Sequence, residues 1–77
     1  MTSRVWTNPI DEHLTAAGHT GYHLRQDSHY TVRVIHDGPD PQRHLDEYAR
    51  LLRDLGYHAT VEQPTDIRPL RLRVTHR

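Results

Sequence analysis

The stretch LRLRV, residues 70–74, alternates aliphatic and arginine side chains without a break. Nothing else in the chain leaves so little choice of structure. Successive side chains of a β-strand point to opposite faces. One register therefore sends Leu70, Leu72 and Val74 to a core and Arg71 and Arg73 to water. A slip of one residue would bury two guanidinium groups, at a cost no small core absorbs. The same period of two recurs elsewhere. Tyr22 and Leu24 share one phase, as do Tyr30, Val32 and Val34, and again Tyr57, Ala59 and Val61. Strands are expected over GYHLRQ, HYTVRVIHD, YHATVEQ and LRLRVTH, with turns at Asp27 and Ser28 and at the PTD of residues 64–66. Alternation on every strand implies a sheet covered on one face only.

Two helices supply the cover. In NPIDEHLTAAG, Asn8 is placed as the N-cap and Pro9 as the first helical residue. Asp11 and Glu12 are expected in the first turn, where the helix dipole favours negative charge. Ile10, Leu14 and Ala17 share a face, and Gly18 ends the helix. In DPQRHLDEYARLLRDLGY, Asp40 caps, Pro41 starts, and Leu45, Tyr48, Ala49, Leu52 and Leu55 form one apolar stripe. Gly56 stops this helix, and Tyr57 then folds back on Leu52. The opposite face pairs Arg43 with Glu47, Asp46 with Arg50 and Arg50 with Asp54. At about 0.2–0.5 kcal/mol each, such pairs support and solvate a helix.

The order is (β)αββαββ, the bracketed strand being RVWT, residues 4–7. The expected fold is α+β. It is a two-layer sandwich with two helices on one face of an antiparallel or mixed sheet of four to five strands. With RVWT as a strand, the first six elements follow the β-α-β-β-α-β order of ferredoxin-like folds, and the surplus last strand extends the sheet or replaces its usual last one. That likeness concerns fold and carries no function. The 77 residues make one domain. A chain of this size buries only roughly 60% of the surface its unfolded form exposes.

Composition removes several function classes. There is no cysteine, which excludes disulfides, thiolate metal sites and cysteine nucleophiles. No apolar run approaches the ~20 residues of a membrane helix. Residues 1–10 show no basic-then-apolar leader. The expectation is a cytoplasmic protein that does not contact a membrane. All ten basic side chains are arginine, and lysine and phenylalanine are absent. That is the codon signature of a GC-rich genome, a high-GC bacterium or its phage. Formal charge is zero with the eight histidines neutral, which gives no long-range attraction for a polyanion.

If the aliphatic phase faces the helices, the open face carries His23, Arg25, Thr31, Arg33, Ile35, His58, Thr60, Glu62, Arg71, Arg73 and Thr75. On that count, four arginines and two histidines stand against one glutamate. Arg25, Arg33, Arg71 and Arg73 are the candidate partner-binding residues, because a guanidinium fork grips carboxylate or phosphate at two points. The competing reading is that they only solvate the sheet. Single-stranded nucleic acid is bound on sheets by exposed aromatic rings. Here the tyrosines fall in the core phase. His19, His23, His29, His36 and His58, with Asp27 and Asp37 near them in sequence, match neither HExxH nor a zinc-finger spacing, so no metal or cofactor is expected. No nucleophile elbow or phosphate loop is present. The function expected is that of a small non-enzymatic module acting by macromolecular interaction. Its partner would be a protein, or a second copy paired along a sheet edge. The alternatives are a nucleic-acid-binding module using the arginine face and a histidine-based metal-binding protein.

Overall fold

The computed structural model describes residues 4–76. The elements are α1 (Thr7–Ala16), β1 (Tyr22–Ser28), β2 (Thr31–His36), α2 (Pro41–Asp54), β3 (Tyr57–Glu62) and β4 (Arg71–His76). The sheet order is β1-β2-β4-β3, and every pairing is antiparallel. β2 and β3 therefore run in the same direction, joined by α2, with β4 filling the gap between them. This is a split βαβ unit in which the last strand is central. α1 packs on β1 and α2, and α2 lies across β2, β4 and β3. The fold is α+β, and its shortest dimension is 17 Å, about one sheet and one helix layer.

Helix ends follow glycine. Gly18 has φ +85° and Gly56 has φ +99°, values that residues with a Cβ seldom hold. Asp40 precedes α2 in a left-handed conformation at φ 54°. It makes no side-chain cap bond, although its carboxylate lies 3.7 Å from Arg43 Nη2. Pro41 opens the helix as expected.

The start of the chain departs from the sequence reading. α1 begins at Thr7, and its N-cap is Trp6 rather than Asn8. Asp11 and Glu12 consequently lie beyond the first turn. The cause is Val5, which is fully buried. Its N–H donates to the His29 carbonyl (3.0 Å) and its carbonyl accepts from Gln26 Nε2 (2.8 Å). The chain is thus fixed just ahead of Trp6, and the helix starts at once. RVWT contacts the end of β1 but forms no strand.

The β1–β2 turn is also displaced. β1 continues through Asp27 and Ser28, with a bulge between Gln26 and Ser28, and the turn is His29 and Tyr30. Tyr30, expected in the core phase, is half exposed there. Asp27 is carried onto the open face.

The core is one cluster. Val5, Ile10 and Leu14 come from the N-terminal part, Leu45, Tyr48, Ala49 and Leu52 from α2, and Val32, Val34, Tyr57, Ala59, Leu72 and Val74 from the sheet. Register brings Val32 opposite Val74 and Val34 opposite Leu72 on one side of β4, and Ala59 opposite Val74 and Val61 opposite Leu72 on the other. Leu55, expected on the α2 stripe, lies past the helix end and is 47% exposed. Arg53 Nε donates to the Ala59 carbonyl at 2.8 Å. This places a charge on the edge strand β3, a device that discourages strand addition.

Leu52→Ala is expected to cost about 2–5 kcal/mol, and Leu55→Ala under about 1 kcal/mol. Urea denaturation of both variants checks this, and a reversed ranking would mean that α2 presents a different face to the sheet.

Candidate functional site: the open sheet face

Strand register draws one row across the sheet. Arg25 pairs with Arg33, Arg33 with Arg73 and Arg73 with Thr60. Arg71 lies one pleat further along β4, opposite Glu62. Like charges placed directly opposite repel, and three guanidiniums side by side need counter-charge. Two carboxylates supply it. Asp27 binds both Arg25 and Arg33, one contact being Arg25 Nη2 to Oδ2 at 3.1 Å. Glu62 Oε1 accepts from Arg33 Nε at 2.9 Å and from Arg71 Nε at 2.7 Å. The result is a continuous chain, Arg25–Asp27–Arg33–Glu62–Arg71.

Burial separates the four candidate arginines. The side chains of Arg33 and Arg71 are 18% and 12% exposed, whereas that of Arg25 is 57% exposed. Arg73 is exposed, and among the described residues no carboxylate pairs with it. Leu72 and Val74 are buried and Arg73 stands in solvent as expected. Arg71 was expected in solvent too. It lies on the open side, but Glu62 draws it down against the sheet. The network shifts its members in matching directions. Asp27 is held below the usual carboxylate value by its hydrogen bond from Arg25, with Arg33 adding to it and burial opposing. Glu62 is lowered by its bond from Arg33, with Arg71 adding and burial again opposing. Arg25 is raised by Asp27, and Arg33 by Glu62 and then Asp27.

The site residue missed from sequence is Asp27. Turn chemistry pointed to it, and a bulge is invisible to a strict period of two. With it, four guanidiniums face two carboxylates, not one. His23 pairs with Asp37 at 2.7 Å, and His58 is exposed opposite Thr75.

Most other histidines pack as rings. His36 and His44 stack at 3.9 Å and 12°, and His76 stacks on Tyr57 at 4.7 Å. His19 meets the edge of Tyr48 and His13 that of Tyr57. Tyr57 is buried, which raises its phenol. Among the described residues no three His, Asp or Glu side chains converge on a common metal position. A polar hollow of about 250 Å³ between α1 and β1 is lined by Asn8, Asp11, Tyr22 and His23 among others. Tyr22 donates there to Asp11 Oδ1 at 2.6 Å. The larger hollow lies on the outer face of α2 and has no opposing wall, being lined by residues 40–50 alone. No helix among the described residues is long and apolar enough to cross a membrane. No protein-family model, curated protein or solved structure matches the chain.

Glu62→Gln removes the only counter-charge that Arg71 has among the described residues and one of the two of Arg33, and is expected to cost about 1–3 kcal/mol at neutral pH. Because the folded-state pKa of Glu62 is depressed, its contribution is complete above the ordinary carboxylate value of ~4.3 and disappears as pH falls below it. The stability gap between wild type and variant should therefore close in acid. Urea denaturation at about pH 7 and about pH 3 measures it, and a pH-independent gap would remove Glu62 from the network's energetics.

Proposed function

We propose that the protein is a small non-enzymatic cytoplasmic module whose open sheet face docks an acidic segment of a protein partner. The observation that carries this reading is the exposed pair Arg25 and Arg73, on either side of an Arg33 already neutralised by Asp27 and Glu62. Strands lie roughly 4.8 Å apart, so the two exposed guanidiniums stand on strands about 10 Å from one another. Arg33 and Arg71 are held low against the sheet by carboxylates, Arg25 is pinned by Asp27 while still exposed, and Arg73 has no carboxylate partner among the described residues. Two exposed cations on a wide polar surface suit carboxylates at a set spacing in a folded or extended protein segment.

A phosphate backbone is less well matched. It would approach Asp27 and Glu62 as closely as the arginines, and it would find no tyrosine, tryptophan or phenylalanine ring on this face to stack its bases. The rings that stand open are elsewhere: Tyr30 is in the β1–β2 turn, and Trp6, before α1, is covered by Arg4 at 3.6 Å. Pairing of two copies along β3 would have to displace Arg53 from Ala59.

The test is a titration of 15N-labelled protein with a peptide of alternating glutamate and serine, and in parallel with single-stranded oligothymidine of equal charge. Peptide-induced shifts are expected at Arg25, Arg33, Thr60 and Arg73. The double variant Arg25→Gln, Arg73→Gln should lose them without a change in melting midpoint. Shifts confined to other surfaces would overturn the proposal. Tighter, steeply salt-dependent binding of the oligonucleotide would transfer the site to nucleic acid.

A further inference from the structure

The corner where β2 passes into α2 is closed by aromatic rings, none of them phenylalanine. His36 ends β2, and His44 lies in the first turns of α2. Their rings are parallel within 12° at 3.9 Å. Tyr48, one turn beyond His44, is completely buried, and burial raises its phenol. Its oxygen is 2.8 Å from His36 Nδ1, and it donates to the Thr20 carbonyl at 3.3 Å. The phenol has a single proton, and with it on the Thr20 carbonyl the neutral imidazole donates its Nδ1–H to the phenol oxygen, so ring and phenol fix one another.

The connection between the two elements is drawn tightly round this pair. A Cβ on Gly38 would sit 3.0 Å from His36 Nε2, so the backbone passes directly against the ring. Asp40 holds a left-handed backbone, which an L residue other than glycine keeps only when its surroundings impose it. The Asp37 N–H donates to the Gly21 carbonyl at 2.8 Å. The shape of residues 37–40 thus depends on where His36 lies.

The groups facing His36 disfavour a charge on it. From α2 come His44, Arg43 and the positive end of the helix dipole. From the α1–β1 side, His19 and Tyr22 pack against Tyr48. Asp37 opposes them, but its carboxylate is bound by His23 of β1 at 2.7 Å. The imidazole is held below its ordinary value by burial first and by His44 second, while Asp37 and the Pro39 backbone pull the other way.

We propose that this corner is a pH-sensitive latch: neutral His36, stacked on His44 and bonded to Tyr48, holds residues 37–40 and the first turn of α2 on the sheet, and protonation in mild acid releases them. The sign follows from linkage. A histidine whose folded value is depressed gives its full stabilisation above the unfolded value of ~6.5 and loses it as pH falls from there towards the folded value. Release therefore comes at a higher pH than protonation of Asp27 and Glu62, whose values lie below the carboxylate norm. The inner corner opens while the network on the outer face is still intact.

The experiment is amide hydrogen exchange on the whole chain at about pH 7.5 and about pH 5, corrected for intrinsic rates, together with NMR titration of the imidazoles. Protection at His44 and Leu45 is expected to fall several-fold on acidification while Val34, Leu72 and Val74 keep theirs, and His36 should titrate below ~6.5. His44→Phe keeps a stacked ring and removes the second charge, so the acid loss should shrink and the His36 midpoint should move up. Protection that falls equally everywhere or nowhere, a His36 midpoint at or above the ordinary value, or an unchanged acid response in His44→Phe would each overturn the latch.

Discussion

Val32 and Val34 of β2 meet Val74 and Leu72 of β4, while Ala59 and Val61 of β3 meet the same two residues from the other side. The whole sheet rests on this double pairing. α2 carries the chain from β2 to β3 and leaves a gap one strand wide, roughly 10 Å between the outer strands. Until the gap is filled, the apolar stripe of α2 has no continuous surface to bury against. The filling strand must present aliphatic side chains in the right phase to both neighbours at once. A single-residue slip would turn Arg71 and Arg73 towards Tyr48 and Leu52, where nothing balances a guanidinium. The alternation of residues 70–74 is therefore the condition on which the two-layer fold closes.

That condition has a consequence on the other side of the sheet. Sending the aliphatic residues of β1, β2 and β4 inward sets Arg25, Arg33 and Arg73 in one row. Repulsion along such a row would work against the register that created it. The bulge after Gln26 swings Asp27 in from one end, and Glu62 on β3 reaches in from the other. Each carboxylate serves two arginines, so the fixed position of one partner lowers the entropy cost of holding the next. The network stabilises the register, leaves Arg25 exposed at its end, and leaves Arg73 without a carboxylate partner among the described residues. The same feature is a structural counterweight and the reason the face has a defined charge pattern to offer a partner.

Period and punctuation made the sheet phases, both helices and their glycine stops legible, because each depends on residues within a turn or two. Two of the misreadings involve long-range fixing of local chemistry, and a third is a helix end read one residue late. Asn8 is a good cap by itself, yet the burial of Val5 starts the helix two residues early. Asp27 and Ser28 are good turn residues, yet Ser28 pairs with Thr31 of β2, Asp27 is left as the bulge, and the turn moves onto His29 and Tyr30. Leu55 has the right spacing for the stripe, but Gly56 ends the helix before its side chain reaches the core. The four arginines were placed on the correct face. Their division into a half-buried pair and an exposed pair depends on where the carboxylates stand, which no periodicity records. The central place of β4 is likewise a property of topology: two strands of equal alternation fit an edge or a centre equally well.

The histidines follow from the same economy. A chain that has no phenylalanine, and whose one tryptophan is half exposed, still needs flat, bulky surface to seal the ends of its helix layer. Here tyrosine and imidazole provide it together: His19, His36 and His44 around Tyr48, and His13 and His76 around Tyr57. A phenyl ring packs the same way at every pH, whereas an imidazole packs as an apolar ring only while it is neutral. Through His36, which burial and His44 hold below the ordinary imidazole value, the inner layer carries a base that its hydrophobic pattern would not suggest. The outer face, built on carboxylates pinned by arginine, keeps its charges to a much lower pH. One side of this thin sheet takes part of its aromatic surface from imidazole bases, and the other balances its cations with acids.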